Sequence, residues 1–200
     1  MLLAGVKMPM TRVFDNRVEA GRALARPLSA YRGAPDAIVL ALPRGGVPVG
    51  FEVAQALGLP LDVLVVRKLG LPGQPELAMG AIATGGALVL NEEVLRFAGG
   101  REVALEQVRR REQMELERRE RQYRGGRPPL QLAGRTGIVI DDGLATGATM
   151  EVAVRALRGL GATRIVVAIP VASAEARDRI AEVADEVVCL ETPAFFSAVG

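Results

Sequence analysis

Two adjacent carboxylates, Asp141 and Asp142, follow an apolar, β-branched run, Ile138-Val139-Ile140. After them comes a loop of small residues, Gly143-Leu144-Ala145-Thr146-Gly147-Ala148-Thr149. The apolar run reads as a buried parallel strand. Val152, Val154, Ala156, Leu157 and Leu160 beyond the loop mark an amphipathic helix. Strand, small-residue turn and helix N-terminus together make an anion site, because unpaired backbone N–H groups and the helix dipole converge there. Gly143 and Gly147 permit backbone conformations closed to other residues. Ala145 and Ala148 let a ligand approach closely, and Thr146 and Thr149 add hydroxyl donors. The paired acids fit a different task. Two like charges side by side need hydroxyl donors or a cation as partners, and packing at the end of a buried strand has no use for them.

A ligand with a phosphate at one end and a polyol in its middle satisfies both halves of this stretch, and ribose 5-phosphate has that shape. The stretch VIDDGLATGAT resembles the phosphoribosyl-diphosphate (PRPP) signature of the type I phosphoribosyltransferases: an apolar strand, Asp-Asp, then a short T-G-x-T loop. The resemblance implies that Asp141 and Asp142 hold the ribose hydroxyls and that residues 143–149 hold the 5′-phosphate. It also implies displacement of pyrophosphate from C1′ by a nucleobase-like acceptor, with Mg²⁺ as cofactor. Asp141 and Asp142 are then the candidates both for catalysis, by orienting the ribose and stabilising positive charge on it, and for contact with the metal.

A second loop has similar potential. Ile38 to Leu42 is a continuous apolar run, read as the first core strand, and it stops at Pro43-Arg44-Gly45-Gly46 before a helix resumes at Val49. Backbone N–H groups of Gly45 and Gly46, with the Arg44 guanidinium, suit a second anion. An ordinary strand-to-helix turn with a solvated arginine would look the same in isolation. The resemblance implies that Arg44, Gly45 and Gly46 grip the pyrophosphate, in a loop that can carry a non-proline cis peptide. Leu61 to Val66 reads as the next strand, with Arg67 and Lys68 at its C-terminal end, the side on which open parallel sheets bind ligands. Adenine phosphoribosyltransferases are similar in having Arg-Lys followed by Leu-Pro-Gly there, which implies pyrophosphate contact for Arg67 and Lys68.

The composition narrows the alternatives. Half of the 200 residues are hydrophobic and 4% aromatic, the palette of parallel strands covered by helices. The absence of histidine removes His-based acid–base catalysis and Ser-His triads. One cysteine, Cys189, excludes an intrachain disulfide framework and fits a reducing compartment. A formal charge of +2 argues against bulk nucleic-acid affinity. No apolar run is long enough to span a membrane, and the N-terminus lacks the basic start of a signal peptide. Cytoplasmic location is the default.

The expected fold is a single α/β domain over residues 1–200. It has a mostly parallel five-stranded sheet flanked by helices, as in the type I phosphoribosyltransferases, and a hairpin plus long-helix insertion over about 72–130. Met79–Ala83 and Ala87–Leu90 flank Thr84-Gly85-Gly86 as a hairpin. Residues 101–124 are dense in Arg and Glu four apart, as in a solvated helix. That helix reads as an exposed arm or a surface for a partner, compatible with a homodimer. Interleaved glutamates and missing aromatics argue against RNA as the partner. Phe195 and Phe196 could stack on a base or anchor the core. Two other functions remain open on sequence grounds: a non-catalytic PRPP-binding regulatory module, and an enzyme of a different phosphosugar or nucleotide.

Overall fold

A computed structural model of the chain describes residues 14–97 and 102–193; Phe195 and Phe196 lie outside them. Asn16 opens the first helix, α1 (Arg17–Leu24), its side chain accepting from the Glu19 amide. The chain then builds β1 (Ala37–Ala41), α2 (Gly46–Leu57) and the short β2 (Leu61–Val63). It crosses into β3 (Val66–Leu71), β4 (Gln74–Ala83) and β5 (Ala87–Leu90), followed by α3 (Glu92–Phe97) and the long α4 (Glu102–Arg124). It returns through β6 (Thr136–Ile140), α5 (Ala148–Gly159), β7 (Arg164–Val171), α6 (Ala174–Ala181) and β8 (Glu186–Glu191).

The main sheet has the order β2-β1-β6-β7-β8, and every pairing in it is parallel. Its strands are apolar on both sides because helices cover both faces. On one face Ile38, Leu40, Val139, Val167 and Ile169 pack with Met150, Val154 and Leu157 of α5 and Ile180 of α6. On the other, Val39, Ile138, Ile140, Val166 and Ala168 pack with Leu24 of α1 and Val49, Val53 and Leu57 of α2. This is the expected fold, a mostly parallel five-stranded sheet between helices.

Two expectations change between β2 and the end of the long helix. Leu61–Val66 is not one strand. β2 ends at Val63, and Leu64 still donates to the Ala41 carbonyl. Val65 is stitched instead to Thr84, whose Oγ1 accepts from the Val65 amide at 2.9 Å and whose amide donates to the Val65 carbonyl. Arg67 and Lys68 therefore lie in β3, within a separate antiparallel sheet of order β3-β4-β5. The hairpin forms as expected, joined to a third strand.

Nor is α4 an exposed arm. Val108 and Leu116 are buried against Leu69 and Met79 of the small sheet, and full burial of such side chains contributes about 1.5–3 kcal/mol each. Two ion pairs fasten the helix. Glu112 accepts from Arg67 Nε at 2.9 Å. Arg124 makes a bidentate pair with Asp62 of β2, Nε to Oδ1 and Nη2 to Oδ2, both 2.9 Å. Asp62, Glu112 and Arg124 are each less than a tenth exposed, and no other charged residue among those described is so fully enclosed. The chain after α4 also returns a contact, Arg127 Nη1 donating to the Leu61 carbonyl at 3.0 Å.

Candidate functional site

The strand order places the site. From β1 the chain moves to β2 on one side, and from β6 it moves to β7 on the other, so connectivity reverses between β1 and β6. In open parallel sheets a ligand crevice forms at the strand C-termini of such a switch point. Ala41 is paired with Ile140 there, and the loops that follow, 43–46 and 141–147, leave the sheet side by side. They touch. A Cβ on Gly45 would fall within the Asp142 carboxylate, and one on Gly46 would sit 2.6 Å from the Ile140 carbonyl oxygen. Only glycine allows the two loops this approach. The peptide bond between Pro43 and Arg44 is cis. Arg44 is exposed and, among the described residues, pairs with no carboxylate.

The two aspartates have different surroundings. Asp142 receives Arg17 of α1, with Nε 2.8 Å and Nη2 2.6 Å from Oδ2. Asp141 has no ion pair among the described residues, and its Oδ1 accepts the Asp142 amide at 2.9 Å. Burial, reinforced by the neighbouring Asp142 charge, pushes the Asp141 carboxyl up to about 7. No group of three or more acidic or sulfur ligands suited to a metal occurs among the described residues. A divalent ion here would take most of its oxygens from a ligand and water, as Mg²⁺ commonly does, with Asp141 and Asp142 as the protein's carboxylates.

The small-residue loop ends in Gly147, whose φ of 78° places it in the left-handed region at the N-cap of α5. Among the described residues, no amide from Ala145 to Met150 donates to a backbone carbonyl. These amides and the helix dipole form a cradle for an anion. Thr146 and Thr149 are exposed on it, and Ala148 is half-buried. Leu144 differs from its neighbours in the loop. Its side chain is buried in the core and its amide is spent on the Val171 carbonyl at 2.9 Å. It anchors the loop, together with Ser173, whose Oγ donates to the Ala145 carbonyl at 2.9 Å.

Arg67 and Lys68 do not sit on the rim of the parallel sheet. They line a cleft of about 510 Å³ with Pro72 of the β3–β4 turn, Arg111 and Glu112 of α4, and Thr149 of the anion loop. The long helix thus contributes to the wall of a cleft that reaches the signature loop. Lys68 is exposed and forms no ion pair among the described residues, whereas Arg67 is held by Glu112. Sequence reasoning missed Arg17, Arg111 and Glu112. Arg17 lies 125 positions from its partner, so no local pattern could have linked them.

Known proteins resemble this chain over most of its length. Two curated proteins of Mycobacterium tuberculosis, from strains H37Rv and CDC 1551, are provisionally named phosphoribosyl transferases. Each is 50% identical over 189 residues, covering 94% of this chain and 42% of its own length. The chain therefore spans less than half of these relatives. The crystal structure of TT1426 from Thermus thermophilus is 46% identical, with a TM-score of 0.80, covering 92% of this chain and 87% of that one. Among the described residues no helix is long and apolar enough to cross a membrane. The profile of the phosphoribosyl transferase domain matches residues 11–200, and the chain belongs to that family.

Proposed function

We propose that the protein transfers the 5-phosphoribosyl group of PRPP to a nucleobase-like acceptor and releases pyrophosphate. The observation that carries this reading is the pair of loops at the β1/β6 switch point. One offers free amides at a helix N-terminus, the other an arginine and two glycines, and two carboxylates stand between them. A ribose with a phosphate at C5′ and a pyrophosphate at C1′ offers one anion to each loop and hydroxyls to the carboxylates between them.

In this reading residues 143–149 seat the 5′-phosphate, with Leu144 as the anchor. Asp141 and Asp142 take the ribose hydroxyls and favour the positive charge that develops on the ring as the C1′–O bond breaks. Arg44, the Gly45 and Gly46 backbone and Lys68 receive the departing pyrophosphate, and Arg67 follows if Glu112 releases it. Mg²⁺, which this family typically uses with PRPP, neutralises pyrophosphate charge when bound.

Calorimetry with Mg-PRPP, followed by pyrophosphate release with a panel of purine and pyrimidine bases, tests the reading. Binding with release for one base establishes the transferase and names its acceptor. Binding without release from any acceptor makes the protein a PRPP-binding module, and absence of binding removes PRPP altogether. The loop contact gives a second test. Gly45→Ala forces the Asp142 carboxylate aside and is expected to weaken Mg-PRPP binding at least about tenfold. Unchanged affinity would show that the two loops do not share a ligand.

A further inference from the structure

The Arg17 guanidinium is bound to one of the two carboxylates that stand between the loops. Both Nε and Nη2 reach Oδ2 of Asp142, at 2.8 and 2.6 Å. The carboxylate that holds it rests directly over Gly45, where no Cβ could fit. The guanidinium and the Gly45 backbone, proposed to grip pyrophosphate, thus meet the same carboxylate. Asp142 is largely enclosed, at 16% exposure, whereas the Arg17 side chain is 42% exposed.

The helix beneath it is firmly seated. Gly21 of α1 lies so close to α2 that a Cβ there would stand 2.7 Å from the Glu52 Cβ and 2.8 Å from the Val49 carbonyl oxygen. Asn16 caps the first turn, and Glu19 is occupied by the Asp15 amide at 2.7 Å. A fixed backbone with a long side chain allows the guanidinium to change partner without moving the helix.

We propose that Arg17 exchanges ligands on substrate binding: it holds Asp142 in the free protein and passes to the pyrophosphate group when the ribose hydroxyls occupy that carboxylate. This rests on the assignment of PRPP to the site. The pair is open on the arginine side, and the ribose hydroxyls replace the guanidinium on Asp142, so the carboxylate is not left unpaired when the pair breaks. A planar guanidinium forms stronger, bidentate contacts with phosphate oxygens. The exchange would also prevent an unpaired carboxylate from facing the anionic ligand before the ribose is in place. Arg17 is thus a binding residue for the diphosphate end, assigned by its place beside Gly45.

The test compares two ligands on the full chain by calorimetry, Mg-PRPP and ribose 5-phosphate, which lacks the diphosphate. Arg17→Ala is expected to weaken Mg-PRPP about tenfold or more, and to leave ribose 5-phosphate bound as well as before or tighter, since Asp142 no longer has a competitor. Arg17→Lys, which keeps the charge and loses the fork, should fall between for Mg-PRPP. A merely structural role moves both ligands the same way, so equal losses overturn the proposal, as does an unchanged Mg-PRPP affinity. Tighter binding of both ligands would show competition without transfer and also overturns it. If the unmodified protein binds neither ligand, the assignment of PRPP itself falls, an outcome distinct from any result on the variants.

Discussion

Asp141→Asn is expected to stabilise the fold at pH 8 while weakening Mg-PRPP binding at least about tenfold. The Asp141 carboxyl, raised from 3.8 to about 7 by burial and by the Asp142 charge, keeps its proton in the folded chain where the unfolded chain has already lost it. Between roughly pH 4 and 7 the folded state binds more protons, so its stability falls as pH rises through that window. Each unit corresponds to about 1.4 kcal/mol, which sets the loss by pH 8 at no more than on the order of 4 kcal/mol. Asparagine carries no charge and escapes this loss. Urea unfolding at pH 5 and pH 8 reads the effect: the unmodified protein should weaken between the two, and the variant should weaken less. Parallel behaviour of the two proteins would mean that Asp141 is solvated. A fold that is less stable with this acid than without it is what the proposed ligand-binding role of Asp141 would produce.

Arg124→Ala is expected to lower the stability by about 3–5 kcal/mol, the usual cost of removing one partner of a buried ion pair. Its side chain and that of Asp62 are only 8% and 12% exposed. Burial acts to raise the Asp62 carboxyl, but hydrogen bonds from Arg124 and the Val63 amide outweigh it and hold the group below its ordinary value. Without the guanidinium, Asp62 keeps the Val63 amide at 2.7 Å, while the Pro128 carbonyl loses its 2.7 Å donor. Against the 5–15 kcal/mol typical of a domain, the loss is large, and it should appear as a lower urea midpoint. Asp62→Leu combined with Arg124→Met should recover much of it, because no charge is left buried without a partner. A loss below about 1 kcal/mol for Arg124→Ala would place the pair in solvent.

The parts of the fold that were legible in the sequence share one property: their signal is local. Ile38–Leu42 and Ile138–Ile140 are continuous apolar runs because both faces of the sheet are covered. The acid pair and small-residue loop stand within a dozen positions. The break between β2 and β3 was not legible, since Leu64 and Val65 are as buried and apolar as strand residues, and what separates them is pairing with Thr84, nineteen positions on. The helix over Glu102–Arg124 was visible, but its buried stripe was not. Val108, Glu112 and Leu116 fall four apart on one face, and the middle position is a glutamate whose charge is met by Arg67. A polar residue at a core position hides the period that would have shown the helix to be packed. At the site, Arg17 joins Asp142 only through the fold.

The edge of the main sheet at β2 has a bearing on how the protein behaves at high concentration. An open strand edge is a template for adding a strand from another copy, and such association leads to aggregates. β2 is three residues long, and its backbone is occupied from the outside: the Leu61 carbonyl by Arg127 and the Val63 amide by the carboxylate of Asp62. The same aspartate is clamped by Arg124, so the shield does not swing away without breaking a buried ion pair. The cover of the β2 edge and the seating of the long helix are in this way tied to one side chain.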